Sequence, residues 1–259
     1  MLARIQKWLA PPDPSPDLRK ALKLRTPGTG EWYLRSDSYE KWKSKTVPLT
    51  WLYGQAGAGK TFLTAAIIEN MQKFCNDDPA QSLAHHFFDF NEAAKQDPIN
   101  MLKSLLCQSL SRCADVPDAV KSLYASCNEG LRAASEHELL EALRGTFEVA
   151  HAFVVLDALD ECNGWDALLD ILTEMHSWGE KTVSILVTSR KEVYIEEALE
   201  DIVPQGERKS LENDEVDKDI GAYVRVRLAN DKNFRRWHND PEIQQDIQTT
   251  LELKAQGMY

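Results

Sequence analysis

Apolar positions alternate between two periods along this chain. Leu49–Tyr53, Ala152–Leu156 and Val183–Val187 are short, near-continuous apolar runs, the pattern of strands buried on both faces. Leu83–Phe90 adds another predicted strand, and Arg208–Leu211 reads as a short edge strand. Helical spacing fills the intervals. Phe62–Phe74 is apolar nearly all round, as suits a buried helix. Pro98 opens a helix through about Cys113, with Met101, Leu102, Leu105, Leu106 and Leu110 on its apolar side. Val116–Cys127, Ser135–Val149, Trp165–Trp178, Val193–Asp201, Asp214–Ala229 and Asp240–Lys254 also read as helices. In the first part of the chain, Leu2, Ile5, Trp8 and Leu9 share one helical face. That helix serves either as a packing element or as a docking element for an upstream domain. It ends at a spacer, Pro11–Pro16, read as stiff and extended. A helix over Asp17–Arg25, a turn-rich stretch over Thr26–Trp32 and a helix over Ser36–Lys45 follow.

Strands alternating with helices predict an α/β fold of three layers, α/β/α, with a central parallel sheet. N-terminal helices precede it and a C-terminal helical extension follows. The division expected is 1–30 for the N-terminal helix and Pro-rich linker, 31–205 for the central domain, and 206–259 for the start of a helical region that continues beyond this chain. In such sheets, ligands sit at the carboxyl ends of the strands. Three polar motifs fall at those ends: Gly54–Thr61, Asp157–Glu161 and Thr188–Arg190.

The first motif fits G-x-x-x-x-G-K-[ST]. A loop that wraps phosphates must turn successive backbone N–H groups inward, and a Cβ obstructs those dihedrals. Glycines therefore stand at Gly54, Gly57 and Gly59. With Gln55, Ala56 and Ala58 they form the cradle. Lys60 places an ammonium on the β- and γ-phosphates, Thr61 offers a hydroxyl to Mg²⁺, and Phe62 begins the helix whose positive dipole end faces the anion. Asp157 closes a buried strand, the place from which a carboxylate holds Mg²⁺. Asp160 or Glu161 is positioned to polarise an attacking water. Arg190 is positioned to sense the terminal phosphate. The helix carrying Tyr39 and Trp42 precedes the first strand, so those two rings are either scaffold or neighbours of a nucleobase. The G-protein signatures N-K-x-D and D-x-x-G are absent from the sequence, as is the arginine-rich lid of a small-molecule kinase. The order of the acidic and Thr-Ser-Arg motifs suits an ATPase with an extra strand between the phosphate-loop strand and the acidic strand.

Composition narrows the partners. A net charge of −11 over 259 residues disfavours nucleic acid as a partner. No apolar run reaches membrane-spanning length, and Arg4, Gln6 and Lys7 interrupt any signal-peptide core. The five cysteines show no paired or metal-ligand spacing, which fits reduced thiols and a cytoplasmic location. His137-Glu138-Leu139-Leu140-Glu141 misses the zinc motif H-E-x-x-H by its last residue, and adjacent His85 and His86 point to opposite faces of a strand.

Together, Trp51–Thr61, Leu156–Cys162 with its small Ala158 and further acid Asp160, and Val187–Arg190 resemble NACHT domains, the signal-transduction NTPases of the NOD-like receptor type. Gly28–Leu34 with Trp42, and the closing Leu253–Tyr259, look like fungal NACHT proteins of the heterokaryon-incompatibility and ankyrin- or WD-repeat type. The resemblance covers about residues 17–259. It implies a switch that binds Mg²⁺ with ATP/ADP, or GTP/GDP, hydrolyses slowly and self-associates on activation. It also implies upstream effector and downstream sensor domains, with a winged-helix segment next in line, none of them in this chain. A nucleotide-bound interaction module with negligible turnover and an AAA-type remodelling motor are the alternatives.

Overall fold

A computed structural model describes residues 1–230 and 240–255. The resemblance drawn for the closing residues Gln256–Tyr259 lies outside the described residues. Four helices precede the first strand: α1 (Leu2–Leu9), α2 (Ser15–Leu24), α3 (Glu31–Leu34) and α4 (Asp37–Lys43). The strands are β1 (Leu49–Tyr53), β2 (Gln81–Phe87), β3 (His151–Asp157), β4 (Val183–Ser189) and β5 (Arg208–Ser210). Helix α5 (Lys60–Asp77) links β1 to β2. Helices α6 (Ala93–Gln96), α7 (Pro98–Leu110), α8 (Asp118–Ser126) and α9 (Glu136–Phe147) lie between β2 and β3. Helix α10 (Trp165–Ser177) leads to β4 and α11 (Val193–Glu200) to β5, and α12 (Asp214–Asn230) and α13 (Pro241–Ala255) follow.

All strand pairs are parallel, in the order β2-β3-β4-β1-β5. β4 thus lies between β1, which leads into Gly54–Thr61, and the acidic strand β3, as the motif order predicted. This is the three-layer arrangement of a P-loop NTPase-like fold. Successive side chains of a strand point to opposite faces, so unbroken apolar strands feed two cores. Ala152, Val154 and Leu156 of β3 join Leu49, Trp51, Ile185 and Val187 in a core with α1 and α7–α11. Phe153 and Val155 point the other way and join Leu52 and Leu186 in a core with α2, α4, α5 and α12.

The N-terminal helices belong to these cores. Ile5 and Leu9 are buried, and the Trp8 indole N–H donates to the Arg132 carbonyl at 3.0 Å. A Cβ on Gly130 would approach Trp8 to 3.0 Å, so glycine is what lets that turn close on the indole. The face of α1 is therefore a packing face. Helix α2 is fixed by the buried Lys95 ammonium, which pairs with Asp17 at 2.8 Å and Glu92 at 2.6 Å.

Several boundaries differ from the sequence reading. The spacer is shorter, because Pro16 is accommodated in the first turn of α2, where its missing N–H costs nothing. Glu31–Leu34 and Ala93–Gln96 form single helical turns too short to carry a periodic signal. β2 begins two residues earlier and ends at Phe87, where its pairing with Asp157 ends. Tyr39 and Trp42 are buried, Trp42 edge-on to Phe153 at 5.2 Å. They are scaffold, and the nucleobase alternative is corrected: burial of this face of α4 in the core leaves no ring face open to a ligand. Among the described residues, no helix is long and apolar enough to cross a membrane.

Burial pushes the imidazoles of His85 and His151 down to about 4 from an ordinary 6.5. An unfolded chain therefore binds more protons than the folded one between those values. The contribution of both histidines is intact above pH 6.5 and is lost as pH falls toward 4. Urea unfolding midpoints are expected to drop through that window, and His85→Gln to flatten the dependence. An unchanged slope in the variant would place the proton uptake elsewhere.

Candidate functional site

The carboxyl ends of β1, β3 and β4 lie side by side, which brings the three motifs together. Register sets Tyr53 opposite Ser189 and Leu156 opposite Val187. The Gly54 N–H continues the ladder by donating to the Ser189 carbonyl at 3.2 Å. Beyond Gly54 the chain turns through Gly57 at φ +80° and Gly59 at φ +78°, left-handed dihedrals that favour glycine. Gly54 is favoured for another reason: a Cβ there would crowd Ala58 at 3.1 Å and Leu211 at 3.2 Å. Gly59 then caps α5, whose first residue is Lys60.

A cavity of about 340 Å³ gathers Ala56–Phe62 with Ala158, Asp160, Glu161 and Arg190. Gly54 and Gln55 lie at the base of the loop. Their carbonyls accept from the Lys60 ammonium, at 2.8 Å and 2.7 Å. Burial lowers the Lys60 pKa, while Asp160 and Asp157 pull it upward. A ligand carrying negative charge would replace the two carbonyls as acceptor and favour the charged ammonium.

Asp157 is 2% exposed. Three threonine hydroxyls donate to its carboxylate, each at 2.7 Å: Thr61 to Oδ2, and Thr64 and Thr188 to Oδ1. Burial raises the Asp157 pKa, and the three hydroxyls oppose that rise. This deeply buried carboxylate has hydroxyl donors on both oxygens and, among the described residues, no ion-pair partner. Such a donor set fits a divalent cation held by Asp157 and the Thr61 hydroxyl. The reading of the sequence missed Thr64, although Thr61 and Thr64 stand three apart on α5 and so face the same way. It also gave Thr188 no role of its own.

The residue after Asp157 redirects the chain. Ala158 has φ +59° and ψ +54°, left-handed for a residue with a Cβ. Its N–H donates to the Thr188 hydroxyl at 3.0 Å, which holds it there. The following helical turn, Leu159–Glu161, sends the two acids in different directions. Asp160 accepts from the Arg190 backbone N–H at 2.9 Å and pairs with its guanidinium at 3.0 Å. Glu161 accepts from the Phe90 N–H at 2.9 Å. Burial raises the Glu161 pKa, the Phe90 contact lowers it, and the neighbouring Asp160, Asp89 and Asp157 raise it. Two acids that were interchangeable on paper thus have different partners.

A second cleft adjoins the loop. It is lined by Thr29, Gly30 and Trp32 from the turn before α3, by Ala58, Gly59, Phe62 and Leu63, and by Leu211, Val216 and Asp219 beyond β5. The participation of Asp219, 189 residues from Gly30, carries no sequence signal. The side of the site near Thr61, Asp157 and Glu161 opens onto α2 and Phe87–Phe90 through a cavity of about 290 Å³.

Two comparisons with known proteins bear on this arrangement. The family described as Nephrocystin 3, N-terminal, matches residues 28–190, which contain all three motifs. The vegetative incompatibility protein HET-E-1 of Podospora anserina is 23% identical over 237 residues. That alignment takes in 88% of this chain and 17% of the relative, so the chain corresponds to a small part of it. Both agree with the likeness to fungal NACHT proteins drawn from the motifs.

The backbone of Ala158 generates a prediction. Glycine adopts its dihedrals without penalty, so Ala158→Gly should hold or raise stability, by up to about 1 kcal/mol. Ala158→Val, with a branched Cβ in the same conformation, should lower it by about 1–2 kcal/mol. Urea unfolding midpoints of the two variants test this; a loss for glycine equal to that for valine would show that the left-handed backbone stores no strain.

Proposed function

Because the chain belongs to the Nephrocystin 3, N-terminal family and is NACHT-like, we propose that it is the nucleotide-dependent switch of a signalling protein, binding Mg²⁺ with ATP or GTP and hydrolysing it slowly. The observation that carries this reading is convergence. A glycine-shaped loop with its lysine, the acids Asp160 and Glu161 after β3, and an arginine after β4 line one cavity, and the buried Asp157 is bonded to the loop threonine beside it. Each motif alone has bland explanations, and their alignment by register at three neighbouring strand ends is what supports a phosphate site.

In this reading the loop amides from Gly57 to Thr61 and the Lys60 ammonium hold the phosphates, with Phe62 beside them. Asp157 and Thr61 hold Mg²⁺, which when bound neutralises charge on the phosphate oxygens. Arg190 contacts the terminal phosphate from β4, oriented by Asp160, whose two oxygens are committed to it. Glu161 receives the proton of the attacking water: its Oε2 is anchored on Phe90, and its raised pKa suits a base. This divides the labour between the two acids. Hydrolysis or exchange changes the contacts available to Lys60 and Arg190, and that difference in affinity is the only quantity that can drive a switch. Self-association of the triphosphate form and relay to effector and sensor domains elsewhere in the protein belong to the same proposal, as does a cytoplasmic setting.

Lys60→Ala should weaken nucleotide binding by about 10- to 100-fold, the value of a charge-assisted contact; a variant with full affinity would sink the site. In single-turnover hydrolysis, Glu161→Gln should slow the step by about 100-fold with affinity retained. If turnover is absent or independent of Glu161, the bound nucleotide is a structural element of an interaction module. Chromatography of nucleotide released from the denatured protein identifies the base.

A further inference from the structure

The second cleft is shut by a contact between distant parts of the chain. Oδ2 of Asp219, on α12, accepts from the Gly30 N–H at 2.7 Å and from the Trp32 indole N–H at 3.1 Å. The turn they hold lies directly on α5, since a Cβ on Gly30 would come within 3.1 Å of Leu63. Gly30 also sits at φ +82°, so the turn has one compact shape that brings its N–H to the carboxylate. On the other side of the turn, the Arg25 guanidinium donates to the Thr29 carbonyl at 3.1 Å and pairs with Glu69 at 3.2 Å, anchoring it to α5. The turn is thus fixed to α5 on one side and to α12 on the other. The space left between them is about 10 Å³, room for a single water.

A ligand whose phosphates rest on Gly57–Thr61 has two ways to extend. One leads to Asp157, Asp160 and Glu161, where three carboxylates favour phosphate oxygens only with a counter-cation. The other leads past Ala58 and Gly59 into this cleft, walled by Trp32, Phe62, Leu63 and Val216. An apolar, partly aromatic wall suits a heteroaromatic ring. The cleft as it stands is far too small for one.

We propose that Asp219 is a positioning residue that latches α12 onto the Thr29–Trp32 turn, and that this latch opens when the nucleoside part of a nucleotide enters the cleft. Occupancy of the cleft and the position of α12 are then one equilibrium. The closed latch reduces apparent affinity by the fraction of molecules that hold it shut. The inference rests on the nucleotide reading above and extends it from the phosphates to the helix that leads out of the domain.

The test compares Mg²⁺·ADP and Mg²⁺·GDP with inorganic tripolyphosphate, a probe that has the phosphates but no nucleoside. Calorimetric titrations are made on the wild type, Asp219→Asn, Trp32→Phe and Lys60→Ala. Asp219→Asn weakens the acceptor and Trp32→Phe removes one donor while keeping an aromatic wall, so each loosens the latch from its own side. Both should tighten at least one nucleoside diphosphate by about 5-fold or more and leave tripolyphosphate unchanged. In the wild type, that nucleotide, but not tripolyphosphate, should raise amide hydrogen exchange in 26–34 and 214–230. Weaker nucleotide binding in Asp219→Asn would make Asp219 a direct ligand and overturn the latch. Unchanged binding, or an equal change for tripolyphosphate, would also overturn it. Should Asp219→Asn fail to fold, Trp32→Phe and the exchange measurement decide. Tripolyphosphate binding that is lost in Lys60→Ala upholds the phosphate site even if the latch fails. A wild type that binds neither probe removes both.

Discussion

The architecture of the site depends on one buried carboxylate. Asp157 lies at the end of β3, shielded from water, and an isolated charge there would be expensive. Its cost is offset by three threonine hydroxyls that come from different elements: Thr61 and Thr64 on α5, and Thr188 on β4. The same bonds that satisfy the carboxylate fix the start of α5 against two strand ends. The Gly54–Thr61 loop has little choice of position once β1 and α5 are both held. Stability and site geometry therefore rest on the same atoms.

Strain next to that carboxylate has a use. Ala158 occupies a left-handed backbone conformation that most residues avoid, and the Thr188 hydroxyl holds it there by taking its N–H. The chain then leaves β3 at a sharp angle, so Asp160 reaches Arg190, just after β4, and Glu161 reaches Phe90, beyond β2. Consecutive residues consequently bond to segments that follow different strands. A larger or branched residue at 158 would resist that turn, which is a physical reason for a small residue after the aspartate.

The chain segments outside the sheet are less peripheral than their order suggests. Helix α1 is locked by Trp8 in the turn around Gly130, and α2 by the Lys95 pairs. At the other end, α12 meets Gly30 and Trp32 through Asp219. The cleft beside Gly59 is thus lined by residues from before the first strand and from beyond the last.

Much of this was legible in the residues. Near-continuous apolar runs identify buried strands because both faces of a parallel sheet need apolar side chains, and the order of the motifs placed β4 between β1 and β3. The loop Gly54–Thr61 is legible because glycine spacing reports dihedrals directly, a local property. Short turns such as Glu31–Leu34 were not, since four residues carry no period. Tyr39 and Trp42 were ambiguous, because an aromatic ring serves equally as core or as ligand wall, and only packing against Phe153 decides. The separate partners of Asp160 and Glu161, the roles of Thr64 and Thr188, and the contact of Asp219 with Gly30 and Trp32 belong to the tertiary structure alone. Each depends on a hydrogen bond between segments far apart in the chain, and composition or periodicity within one segment holds no information about which distant atom will lie 3 Å away.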